Sequence, residues 1–126
     1  MTEPKWLLEE FVKAVHNIVL ATHGGPTGIR DVKMLESALA RPLNKFGYEP
    51  TISIYELAAS YSYGISMNHP FVDGNKRTAL VCGLVFLEIN GIEIQASEAD
   101  AVVAFEALAA GKFSEDELGN WFRDHV

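Results

Sequence analysis

Leu7, Leu8, Phe11, Val12, Val15, Ile18 and Val19 recur at spacings of three and four. That is the stripe of a helix with one buried side, and it predicts a first helix from Pro4 to about Ala21. Pro4 suits a first turn, and Gly24-Gly25 lie just past the end, where a helix needs a left-handed backbone. After the loop HGGPTGIR, Asp31 is placed to cap a short helix with Val32, Leu35 and Leu39 facing inward and Pro42 stopping it. The stretch RPLNKFGYEPTI, with two prolines and a glycine, reads as an irregular segment or loose hairpin on the surface.

Ser53 with Glu56 forms a capping-box pattern for a helix running to about Met67 through Leu57, Tyr61 and Ile65. From Gly74 or Asn75 the chain reads NKRTALVCGLVFLEI, apolar on nearly all sides after its first turn, as a helix surrounded by others must be. Asn90-Gly91 ends it. IEIQ alternates as a strand does, but a lone strand has nothing to pair with. Ser97 with Asp100 opens a helix to about Ala110, and Ser114 with Glu117 opens a last one bearing Leu118, Trp121 and Phe122. The sum is an all-α fold, a bundle of about six helices around a central apolar helix, in one domain spanning residues 1–126.

Composition narrows the function. A hydrophobic fraction of 48% supplies a core, and 17 acids against 10 basic residues give a net charge of -7. Such a surface repels polyphosphate as a whole and argues against nucleic acid as a direct partner, while leaving room for a local site for one nucleotide. Cys82, alone of its kind, sits inside ALVCGLVFL and reads as a small core hydrophobe. The opening residues carry Glu and Lys unlike a signal peptide, and no stretch reaches the roughly 20 apolar residues of a membrane span, so the cytoplasm is the expected location.

Candidate chemistry is concentrated in NHPFVDGNKRTAL, residues 68–80, between two predicted helices. Gly74 and Asn75 fall where helix-terminal N–H groups have no intrahelical partner, which attracts anions. Lys76 and Arg77 put two cations in the first turn, where each costs a few tenths of a kcal/mol against the helix dipole unless an anion receives it. Arg77 offers a two-pronged donor to phosphate oxygens and Lys76 a point charge, while Gly74 lets a ligand approach the backbone. Asp73 beside such a nest suits Mg²⁺, which is held by one or two carboxylates plus substrate phosphates. A histidine suits the work of a general base, which points to His69, and Phe71 would anchor the loop. His16, His23 and His125 lack partners at ligand spacing and read as structural or solvent-facing, and Trp6, Trp121 and Phe122 as core.

HPFVDGNKR matches every position of H-P-F-x-[D/E]-G-N-[G/K]-R, and at these residues the chain resembles the Fic/Doc family. GGPTGIRD, LESALARP and FLEINGIEI are similar to its Doc branch, the death-on-curing toxins of toxin–antitoxin pairs. The resemblance implies transfer of part of ATP to a hydroxyl of a target protein. His69 would be the base, Asp73 the Mg²⁺ ligand, and Gly74, Asn75 and Arg77 the phosphate grip. A β-hairpin flap at about Leu43 to Ile52 would clamp the target through exposed Lys45, Phe46 and Tyr48. Lys76 in place of Gly, and Leu80 in place of a second Arg, follow the Doc pattern. That pattern implies γ-phosphate transfer to Ser or Thr of a translation factor such as elongation factor Tu, with AMP transfer by the same residues as the alternative. A catalytically idle binding module is a further alternative, which intact His69 and Asp73 oppose. An inhibitory Ser/Thr-x-x-x-Glu pattern is missing at Ser97 and Ser114, so restraint would fall to an antitoxin whose disordered tail folds over the cleft.

Overall fold

The computed structural model describes residues 3–126. Six helices follow in order: α1 Glu9–His23, α2 Val32–Tyr48, α3 Ile54–Asn68, α4 Asn75–Ile89, α5 Glu98–Ala109 and α6 Glu115–Asp124. The all-α expectation holds, and among the described residues there is no strand beyond one isolated bridge between Ile29 and Phe71.

The first helix begins later than its apolar pattern predicts. Residues 4–8 stay out of the helix because the core offers their backbone better partners: Asn90 takes Lys5 N–H and returns its amide to Lys5 O, at 2.8 and 3.0 Å, and Leu7 N–H donates to Tyr61 Oη at 3.0 Å. Trp6 lies between Phe86 and Phe46, stacked on the first and edge-on to the second. Val12, Val15, His16, Val19 and Leu20 form the buried face of α1, while Leu8, Phe11 and Ile18 are exposed.

The largest correction concerns α2. Pro42 does not stop the helix, and the hairpin flap expected over 43–52 is absent: α2 continues to Tyr48. Proline costs a hydrogen bond to the carbonyl one turn back, at Ala38. Tertiary contacts on both sides of it offset that loss. Ala38 presses against Gly64 of α3, where even a Cβ would come within 3.3 Å. Arg41 and Lys45 both bond Glu115, and Phe46 packs on Trp6. Leu35 and Leu39 face inward as predicted, but Val32 is exposed.

α4 is enclosed by α1, α3 and α5, yet α3 is equally central, touching α2, α4, α5 and α6. Its small residues make this possible. Ser62 Oγ donates to Ala79 O at 2.7 Å, and a Cβ on the facing Gly83 would collide with Ser62 and Phe122. Burial pushes the Cys82 thiol and the Tyr61 phenol up to about 12, as core positions do. IEIQ forms no strand, although Ile92 and Ile94 pack inward and Glu93 and Gln95 face out. No described helix is long and apolar enough to cross a membrane.

Candidate active site

α3 ends at Asn68, and His69 adopts φ 48°, the one left-handed non-glycine residue among those described. A side chain there is strained, so the surroundings must hold it. Arg30 does so from outside the motif. Its Nε and Nη2 donate to the carbonyls of His69 and Asn68 at 2.7 and 2.9 Å, a cation placed where a helix C-terminus attracts one. The backbone N–H groups of Arg30 and Asp31 both donate to Pro70 O, at 2.7 and 3.1 Å, and Val72 N–H donates to Gly28 O at 3.1 Å. The loop before α2 is thereby lashed to the motif.

Phe71 is buried as expected, and what covers it is His16, whose ring stacks at 3.8 Å and 9°. His16 Nε2 also donates to Asp73 O at 2.8 Å. α1 therefore grips the loop at two points with one side chain. From the other side Asn75 accepts from Phe71 N–H at 3.0 Å and donates to Phe71 O at 2.9 Å. The Asn75 side chain is thus spent on the loop, and its offer to a ligand is its backbone N–H. Its Nδ2 lies 3.5 Å from His69 Nδ1, too long to fix which ring nitrogen carries the proton.

Gly74 caps α4 at φ 80°, with no side-chain cap. Its missing Cβ faces α1: an added methyl would meet Leu20, Val19 and His16 at 3.3–3.7 Å, so the glycine serves helix packing and backbone conformation as well as ligand approach. Gly74 N–H donates to Asp73 Oδ1 at 2.8 Å, and Thr78 N–H is the first to bond back into the helix, to Gly74 O. The N–H groups of Asn75, Lys76 and Arg77 have no carbonyl one turn back to receive them. Arg77 makes a loose ion pair with Glu98 at 3.5 Å, a contact between partly exposed groups that holds little. Asp73 Oδ2 faces Gly25, where any side chain would collide with it.

These groups share a cleft of about 430 Å³, large enough for a nucleotide. His69, Asp73, Gly74, Asn75, Lys76 and Arg77 all line it, the His69 ring is exposed, and Leu80, Val102 and Phe105 add an apolar wall toward α5. Lys45, Phe46 and Tyr48 do not line it: Lys45 is paired with Glu115, Phe46 packs on the core, and of the three only Tyr48 is exposed, at 95%. His16 and Arg30 escaped the sequence reading as site residues. His16 lies on the apolar stripe between Val12 and Val19, a signal of burial that was present, whereas nothing in the spacing of Arg30 reveals its partners.

The fold and the cleft define a helical protein in which an uncapped helix start, an exposed imidazole and a carboxylate line one cleft. The chain belongs to the Fic/DOC family, whose model it matches over residues 6–87. Among its relatives, the "Protein kinase doc" of Escherichia phage P1 is 31% identical over 115 residues, 91% of this chain and 90% of that protein. The "Toxin Doc" of Mycolicibacterium smegmatis is 38% identical over 74 residues, 58% of this chain and 57% of that protein.

Proposed function

We propose that this chain is a Doc-like toxin that transfers the γ-phosphoryl group of ATP to a Ser or Thr hydroxyl of a target protein. The observation that carries this reading is that the exposed His69 ring and the uncapped, cation-bearing start of α4 face one cleft. A relative named a protein kinase, similar over 91% of this chain, supports it. The triphosphate lies against the open N–H groups of Asn75, Lys76 and Arg77, with the Arg77 fork and the Lys76 ammonium on its oxygens. His69 takes the proton of the acceptor hydroxyl, whose oxygen bonds the terminal phosphorus as the bond to the bridging oxygen breaks and ADP leaves. Positioning and charge neutralisation supply most of the rate.

Asp73 suits Mg²⁺: Oδ1 is engaged by Gly74 N–H, Oδ2 is kept clear by Gly25, and one carboxylate is enough where phosphate oxygens and water complete the shell. When bound, the ion neutralises phosphate charge. Leu80 lines the cleft at the position where AMP-transferring members carry a second arginine, and with Val102 and Phe105 it offers a nucleoside an apolar wall. A nucleoside there leaves the terminal phosphate at the His69 end. The resemblance further suggests a translation factor such as elongation factor Tu as the target, and an antitoxin whose disordered tail folds over the cleft as the restraint. Incubation with γ-labelled and, separately, α-labelled ATP and a cell lysate tests the reaction: label on protein from the γ form alone is expected. Label from the α form means nucleotidyl transfer, and label from neither removes the activity.

A further inference from the structure

Resting on that reading, we infer that the groove between α2 and α3 receives the acceptor segment of the target and selects a Ser or Thr flanked by acidic side chains. The groove, about 360 Å³, is lined by Ser37, Arg41, Asn44 and Lys45 of α2 and by Tyr63 and Asn68 of α3, among others. It shares no lining residue with the His69 cleft, yet Asn68, which lines it, directly precedes His69 in the chain. A chain lying in it reaches the imidazole without crossing the nucleotide. Here Lys45 finds the role that a hairpin flap would have given it, on a rigid helix.

Charge decides the occupant. Although the chain carries -7 overall, Lys33, Ser37, Arg41 and Lys45 recur every fourth residue along α2, on one face. Glu115 pairs with Arg41 and Lys45 from behind: its side chain is 14% exposed, theirs 38% and 35%. Two cations against one largely covered acid leave the groove positive, and Arg41 Nε is buried without a partner. A tie between α2 and α6 alone explains Glu115, but it needs only one of the two cations and leaves Arg41 Nε unused. A carboxylate close to the acceptor hydroxyl gives the second cation its partner through the solvent-exposed parts of Arg41 and Lys45, while Arg41 Nε stays inside. The acidic surface elsewhere disfavours a nucleic acid in the same place.

The test is fluorescence anisotropy with labelled Thr peptides flanked by Asp and Glu, by Gln, or by Lys, titrated with the full chain. The acidic peptide is expected to bind about tenfold tighter than the Gln peptide, and the Lys peptide weakest. Arg41→Gln/Lys45→Gln and, with the α6 tie intact, Asn44→Glu are each expected to erase the preference and to leave ATP affinity unchanged. Equal affinity for the three peptides, no binding of any, a preference that survives Asn44→Glu, or displacement of the acidic peptide by an oligonucleotide overturns the inference. A wild-type chain that prefers acidic peptides but binds no ATP sinks the nucleotide reading instead, and the groove stands.

Discussion

At the start of α6, Ser114 accepts from Glu117 N–H while Glu117 accepts from Ser114 N–H, each at 3.0 Å, and Glu115, Asp116 and Glu117 fill the first turn. At the start of α4 there is no side-chain cap and no acid, and the first turn carries Lys76 and Arg77. One helix satisfies its orphan N–H groups and dipole from its own sequence; the other leaves both open and adds positive charge. α2, α3 and α5 side with α6, capped by Asp31, Ser53 and Ser97. Among the described helices, the one whose N-terminus is worst served locally is the one that faces the cleft. The contrast teaches that local stability has been given up at the helix start that lines the cleft, where the proposed function places an anion.

Removing the proposed base gives the largest expected effect. His69→Ala is expected to lower transfer about 10²- to 10⁴-fold, the usual contribution of a general base, while ATP titrations stay within about twofold of the parent. A loss of ATP affinity as large as the loss of rate would place His69 in binding instead. Making α4 resemble α6 comes next. Lys76→Glu/Arg77→Glu should weaken ATP binding at least about a hundredfold by calorimetry, since each charge-assisted contact contributes about 1.5–3 kcal/mol. The same variant should melt no lower than the parent, because acids suit a helix start. A marked fall in Tm would mean that those cations stabilise the fold, and the contrast between the two helices would fail.

Smaller effects sharpen the comparison. Arg30→Ala should reduce kcat several-fold, roughly 1 kcal/mol in the barrier, with KM for ATP held, because Arg30 touches the backbone of His69 and not the α4 nest. Equal changes in kcat and KM would assign it to the fold generally. Ser114→Ala, at the self-sufficient helix start, should cost about 1 kcal/mol in urea unfolding and leave transfer per folded molecule unchanged. The least effect at neutral pH comes from Cys82 and Tyr61. Both hold their protons to about 12 when folded, above their ordinary values of 9.0 and 10.0. Their contribution is complete below pH 9 and is lost as the unfolded groups ionise and pH climbs toward 12. Stability measured against pH should therefore fall above 9, and a Cys82→Ala variant should fall less steeply.

Much of this was legible in the residues. Caps at Asp31, Ser53, Ser97 and Ser114 stand where their pattern puts them, because a cap bonds an N–H two or three positions away and needs no distant partner. The candidate residues of the motif reach one cleft for the same reason: a run from His69 to Arg77 cannot scatter. The failures lie where distant contacts outweigh local preference. Asn90 and Tyr61 hold residues 5–7 out of the helix that the apolar pattern predicts, and Gly64, Glu115 and Trp6 keep α2 helical through Pro42, erasing the expected flap.

The chain alone therefore determined its helical count, its capped ends and the chemistry crowded between α3 and α4, all of which depend on neighbours within a few positions. Tertiary structure decided what that chemistry faces. Arg30, 39 residues before His69, fixes its backbone, and His16, 57 residues before Asp73, fixes the loop. The cationic groove exists only because α2 and α3 pack side by side. Such contacts carry no periodic signal, since they depend on how rigid elements fit together and not on the order in which their residues follow.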